Sequence, residues 1–218
     1  MLESGRGAVR ERLVASLAAA LDEHDRATGG HLRRVAVQAV RVAERIGMGA
    51  AEIDRVYCAA VLHDLGKIGI PDWILGKRGP LDNEERRLME EHPTIGARIL
   101  RGFPELVDVA DMVEQHQERW DGRTEGAFRG YPLGLAGEEI SLGARIIAAV
   151  DAFDAMTSDR PYRCGLPIAE ARAVLQRERG GQFDPRVVDV FFALQEEGAF
   201  SSSASKRTAG SPSPTPGR

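Results

Sequence analysis

The chain has 218 residues, 43% hydrophobic and 28% charged, which supplies enough apolar side chain for one globular domain with a real core. Its formal charge of −4 and pI near 5.8 argue against a nucleic-acid-binding protein, which carries a basic excess or stripe. No apolar run approaches the roughly 20 residues needed to span a bilayer, and the two cysteines, Cys58 and Cys164, offer no disulfide framework, so a cytoplasmic protein without membrane contact is expected.

Taken in order, the chain reads as helices. Val9, Leu13, Leu17 and Leu21 recur every fourth residue and predict an amphipathic helix ending near Asp22. Arginines precede its short apolar stretch as in a secretory leader, but Glu11 interrupts the basic region and DEHD stands where a small-residue cleavage site belongs. Thr28 is expected to cap a second helix with the apolar face Leu32, Val35, Ala39, Val42 and Ile46, His31 in its first turn and Gly47 at its end. A third runs from about Ala51 through Ile53, Val56, Tyr57, Ala60 and Val61 to His63-Asp64, with Gly66 as a left-handed stop. After Pro71 comes a short turn or helix, and then Asp82 with Glu85 opens a helix that finishes at His92-Pro93. Pro104 opens the next, on which Leu106, Val109, Val113 and His116 share a face. Residues 121–137, rich in glycine, read as a loop; Glu138 to Met156 is helical; Pro161 ends that helix, and two more lie near 167–179 and 185–197. No segment alternates with the two-residue period of a half-buried strand, so the class is all-α. From Ser201 onward, serines, prolines and basic residues with nothing apolar larger than alanine until the end cannot offset the entropy of ordering, and a disordered tail is expected.

The chemistry is concentrated at helix ends. His63 and Asp64 are neighbours, and adjacent helical positions diverge by about 100°, so they converge on one point only at a helix end or around a ligand. An imidazole nitrogen with a carboxylate suits a metal ion. Four of the five histidines, His31, His63, His92 and His116, fall at predicted helix ends, with Asp151 and Asp154 one turn apart on another helix; only His24 lacks such a setting. Imidazoles and carboxylates without thiolates suit iron, manganese, nickel or zinc, and two such ions held close together are suited to phosphoester hydrolysis.

The stretches TGGHLRRVA, HDLGKIGIP, HPTIGARIL, HQERWDG, GYPLGLAGEEI and VDAFDAMTSDRPYR resemble, in order, the motifs of the HD-GYP family, a bacterial branch of the HD superfamily of metal phosphohydrolases. The resemblance covers about residues 15–197. It implies a helical bundle over 15–198, with residues 1–14 as the start of the first helix and 199–218 as a tail. It also implies one or two divalent transition-metal ions, iron or manganese favoured, and hydrolysis of the second messenger cyclic di-GMP to pGpG or GMP. By motif, the first ion would take His31, His63, Asp64 and Asp151, and the second Asp64, His92, His116 and the residue after it. Asp64 and Lys67 would be catalytic, and Lys67, Tyr131, Arg160 and Arg163 would meet the substrate. Signalling partners such as diguanylate cyclases or a receiver protein are further implications. With some 15 residues before the matched span, control is expected from expression, a partner chain or the tail.

The sequence departs from the pattern in three places. Gln117 stands where the family commonly has a second histidine, which weakens the second metal site and leaves a nucleotide- or partner-binding module without turnover, or a mononuclear nucleotide phosphohydrolase, as alternatives. RTEGAFR lengthens the approach to Gly130-Tyr131-Pro132 by six residues. Ala27, four before His31, replaces the glutamate of relatives thought to hold a third metal, so at most two ions are expected.

Overall fold

A computed structural model describes residues 2–24, 30–126, 129–159 and 164–200. Among the described residues there are ten α-helices: α1 Leu2–His24, α2 His31–Ile46, α3 Ala50–Leu62, α4 Asp72–Leu75, α5 Asn83–Met89, α6 His92–Arg101, α7 Val107–Gln115, α8 Leu142–Thr157, α9 Ile168–Arg177 and α10 Pro185–Glu196. Short 3-10 turns at Leu65–Gly69 and Gly137–Glu139 join them. Among the described residues the nearest approach to a strand is a single bridge between Arg179 and Phe183, as the all-α expectation requires. No helix among them is long and apolar enough to cross a membrane.

The centre of the bundle is α2 packed on α3, with α8 against both. The faces that meet are lined by Val35, Ala36, Ala39, Ala43, Ala59, Ala60, Ile146, Ala149 and Val150, all fully buried. Small alanines on each face let the helix axes approach closely, which brings His31 of α2, His63 at the end of α3 and Asp151 of α8 to one point. The turn between α2 and α3 is three residues long and forces the two helices to run back on each other. Gly47 makes that turn at φ 92°, its N–H bonded to the carbonyls of Ala43 and Glu44, so the predicted glycine stop is observed. Thr28 and Ala27 lie outside the described residues, as do Pro161 and the tail from Ser201. Asp82 and Glu85 form the predicted capping box, Asp82 accepting from the N–H groups of Glu84 and Glu85.

Four expectations are corrected. The segment His92–Arg101 is a helix of its own, not the end of α5: Pro93 sits in the first turn, where its missing N–H and fixed φ begin a helix instead of breaking one. The helix after Pro104 starts only at Val107, and the one expected from Glu138 starts at Leu142 after a 3-10 turn. Gly66 is not a left-handed stop, since its φ is not positive; α3 already ends at Leu62 and a 3-10 turn follows. Its reason is room. A Cβ there would lie 1.8 Å from the His92 carbonyl oxygen and 2.6 Å from the Gly96 nitrogen, so only glycine lets α6 rest against the turn that carries Asp64.

Candidate metal centre

His63, His92 and His116 are oriented by the same local device. Each donates from Nδ1 to a backbone carbonyl three residues earlier: His63 to Ala60 at 2.8 Å, His92 to Met89 at 2.8 Å and His116 to Val113 at 2.7 Å. Those carbonyls belong to the last turns of α3, α5 and α7, where no later N–H in the helix is available to them. A carbonyl only accepts, so Nδ1 carries the proton and each Nε2 presents a lone pair inward. Helix ends therefore select the tautomer that a metal requires.

The inward atoms are close together. His92 Nε2 and His116 Nε2 are 3.3 Å apart, and His92 Nε2 is 3.6 Å from Asp64 Oδ1. His63 Nε2 lies 3.5 Å from Asp64 Oδ2 and 3.7 Å from Asp151 Oδ1, and His31 Nε2 lies 3.1 Å from Asp151 Oδ1. Two overlapping donor groups result, His31-His63-Asp151 and His63-Asp64-His116, each with ligand atoms within 4.8 Å of one another. Thus all six residues expected to hold metal are gathered at one buried point.

These groups fit a divalent cation on physical grounds. His63 Nε2 is buried without a hydrogen-bond partner, which costs roughly 1–3 kcal/mol unless something else satisfies it. Two unprotonated imidazole nitrogens 3.3 Å apart cannot bond each other, yet that is close to the about 3.0–3.4 Å separating neighbouring ligands whose bonds to a metal are about 2.0–2.1 Å long. Burial first, and then the fields of His63 and His92, push His116 down to about 3; burial likewise lowers His92, so both stay neutral. Against the cost of burial, Lys67, His63 and His92 hold Asp64 well below the usual carboxylate range, and His31 and His63 do the same for Asp151. Neutral His92 and His116 and ionised Asp64 and Asp151 are thus in the charge states in which imidazole and carboxylate bind a metal.

His31 is held differently. Its Nδ1 meets Asp154 Oδ2 at 2.7 Å, and Asp154 is fixed in turn by Arg34, whose Nε and second guanidinium nitrogen reach its two oxygens at 2.7 and 2.9 Å, and by Ser158 Oγ at 3.1 Å. Burial opposes charging His31, but Asp151 and then Asp154 overcome it and raise the pKa to about 9, so without a metal a proton occupies the place an ion would take. The sequence paired Asp154 with Asp151 without giving it a role, and it missed Arg34. The available signal was spacing: Arg34 follows His31 by one turn of α2, and Asp154 follows Asp151 by one turn of α8.

The loop after α7 closes one side. Glu118 is buried and accepts the N–H groups of Leu133, Gly134 and Leu135 at 2.6, 3.1 and 3.1 Å, organising the turn that follows Tyr131-Pro132, whose peptide bond is cis. Gly130 is needed because a Cβ would stand 2.7 Å from the Arg119 nitrogen. Tyr131 turns its ring edge to His92, centroids 6.4 Å apart, and its N–H is bonded to the Gln117 carbonyl at 3.3 Å. Gln117 itself lines a cavity beside Tyr131 that none of the six metal-type residues lines, so Asp64, His92 and His116 remain the strong donors of the second group. Lys67 is engaged with Asp64 at 2.6 Å. Arg160 and Arg163 lie outside the described residues.

A helical bundle that converges four imidazoles and two carboxylates on one buried point defines a metal-dependent class of protein. A family model described as HD domain matches residues 15–187, and the chain belongs to that family, in its HD-GYP branch. It is 43% identical over 183 residues, 83% of this chain and 47% of the relative, to the cyclic di-GMP phosphodiesterase response regulator RpfG of Xanthomonas campestris. It is 42% identical over 175 residues, 79% of this chain and 46% of the relative, to a cyclic di-GMP phosphodiesterase of Thermotoga maritima. Among solved structures it resembles a cyclic GMP-AMP specific phosphodiesterase of Vibrio cholerae, with a TM-score of 0.55 and 31% identity over 87% of this chain and 41% of that one. The chain spans about half the length of the curated relatives it matches.

Proposed function

We propose that this chain is a metal-dependent phosphodiesterase that hydrolyses cyclic di-GMP to pGpG or GMP, with residues 15–198 as its catalytic unit. The observation that carries the proposal is the pair of overlapping donor groups sharing His63, with the Tyr131 loop beside them. His31, His63, Asp64 and Asp151 would hold one ion, and Asp64, His92 and His116 a second; iron or manganese agrees with nitrogen and oxygen donors without thiolate. Divalent ions held there supply Lewis-acid neutralisation of phosphate charge and lower the pKa of water.

The protein's own part is positioning. Asp64, fixed at the start of the 3-10 turn, presents oxygens to both groups. Lys67 is drawn against it and is placed to pass from Asp64 to an incoming phosphate, exchanging one charge-assisted hydrogen bond for another. Arg160 and Arg163, carried by the family's RPYR motif, complete the phosphate clamp, since the guanidinium fork matches phosphate oxygens in pairs. A cytoplasmic setting, where the dinucleotide would be met, and contact with a cyclase or receiver protein complete the proposal.

Gln117 favours a second reading, a nucleotide-binding module without turnover, because it removes an imidazole from the second group. Metal content of protein purified without oxygen, together with hydrolysis of cyclic di-GMP compared with simple phosphomonoesters, separates the two. Near-stoichiometric metal and turnover of the dinucleotide support the proposal. Metal without turnover of either substrate supports the second reading, and turnover of phosphomonoesters alone assigns a mononuclear nucleotide phosphohydrolase.

A further inference from the structure

The segment that lengthens the approach to Tyr131 is closed at its base. The Gly130 N–H bonds to the Arg123 carbonyl at 2.7 Å, so the chain leaves and returns at one place and the Gly130-Tyr131-Pro132 run resumes directly after it. Arg129, the last residue of that segment, forms an ion pair with Glu90 at the end of α5. Both line a cavity of about 200 Å³ together with Leu81, Met89, Gln117 and Tyr131. Tyr131 is shared by this cavity and the metal centre, through its edge contact with His92, so whatever fills the cavity lies next to the reacting phosphate of the proposed reaction.

The lining favours one chemistry. Leu81 and Met89 supply apolar surface for the faces of a flat ring, while the Glu90 carboxylate, the amides of Gln117 and Gln182 and the guanidinium groups of Arg86, Arg119 and Arg129 supply the edge. Two of the three lining guanidinium groups are already paired, Arg129 with Glu90 and Arg119 with Asp121 through bonds of 2.9 and 2.8 Å, and Glu90 repels a second phosphate, so an anion would have to be held by Arg86 at the expense of one of these pairs. A guanine edge offers two adjacent donors, N1–H and the exocyclic amine, and two acceptors, O6 and N7. Adenine turns an acceptor, N1, toward the place where guanine has a donor, and it would face the carboxylate with a lone pair.

We propose that this cavity seats one purine base of the dinucleotide and selects guanine, Glu90 accepting from N1–H and the exocyclic amine while Arg129 donates to O6 and N7. The inference rests on the cyclic dinucleotide reading above. It also gives the inserted segment a function, since Arg129 reaches Glu90 only because RTEGAFR is there.

Dissociation constants of the full chain for the bis-phosphorothioate analogues of cyclic di-GMP and cyclic di-AMP, which resist hydrolysis, test it. The native protein is expected to prefer the guanine ligand by about tenfold or more, the discrimination of one good two-point base contact. Glu90→Gln and Arg129→Ala should each bring the ratio of the two constants toward unity, with the circular dichroism spectrum unchanged. A purely structural role for the pair would weaken both ligands alike and leave the ratio intact, and that result overturns the proposal. Equal binding of both ligands by the native protein overturns it as well. Binding of neither ligand removes the dinucleotide reading itself, whereas guanine-selective binding that survives both substitutions removes only the assignment of this cavity.

Discussion

Replacing Gly66 by alanine tests the geometry of the centre more sharply than replacing a ligand, because it adds one carbon and removes no donor. The new Cβ would lie 1.8 Å from the His92 carbonyl oxygen and 2.6 Å from the Gly96 nitrogen, both backbone atoms of α6 that no rotamer change can move. Ordinary contact lies at about 3.5 Å, so α6 has to retreat by roughly 1.5 Å. Forcing a methyl group into a packed site costs about 1–3 kcal/mol, and a backbone clash belongs at the upper end. At this chain length about 3 kcal/mol lowers Tm by roughly 6–12 °C. The retreat carries His92, the first residue of α6, away from Asp64 and His116, which now lie 3.6 and 3.3 Å from its Nε2. Metal content should therefore fall toward one ion per chain, the His31-His63-Asp151 group remaining loaded. Calorimetric melting and elemental analysis of the same preparation read both effects. Gly7→Ala is the contrast: nothing lies within 4 Å of its Cβ position, and a helical Gly→Ala exchange should stabilise by up to about 1 kcal/mol. A Gly66→Ala protein with native Tm and native metal content would refute the close-approach argument and the role it gives α6.

Other outcomes follow from the same structure. Asp64→Ala should abolish hydrolysis and most bound metal, since Asp64 faces both donor groups; normal turnover in that variant would remove the metal reading. Asp154→Ala removes the carboxylate behind His31 and should weaken metal binding about 10–100-fold without touching the dinucleotide, as titration of the apoprotein with manganese would show. Lys67→Ala should cost about 1–3 kcal/mol in kcat/KM while keeping metal, the scale of one charge-assisted hydrogen bond; loss of metal would place Lys67 with the ligands instead. Chelation should lower Tm and added metal restore it, because at about a thousand times its Kd an ion adds roughly 4 kcal/mol to stability; a Tm indifferent to chelator would mean that the donor groups bind no ion.

The sequence by itself determined most of the helices, α6 excepted, and the kind of chemistry. The period of Leu32, Val35, Ala39 and Val42 gives α2, and its buried face is the predicted one, because an amphipathic stripe is a local property of the chain. Histidines at helix ends beside a His-Asp pair announced a metal centre for a similar reason: a helix terminus is legible locally, and so is the donor chemistry of its residues.

Only the tertiary structure decided which of those residues meet. His31 comes from α2, His92 from α6 and Asp151 from α8, and nothing in their spacing says that His63 stands between His31 and His116, with ring centroids 5.7 and 5.2 Å away. Asp154 acquires its role from contacts 120 and 123 residues away along the chain, with Arg34 and His31. Gly66 shows the difference most directly. Read locally, a glycine after a helix is a left-handed stop; in the fold it is the space through which the α6 backbone passes, and the physical reason for it, an oxygen 1.8 Å from where a Cβ would be, belongs to a residue 26 positions later.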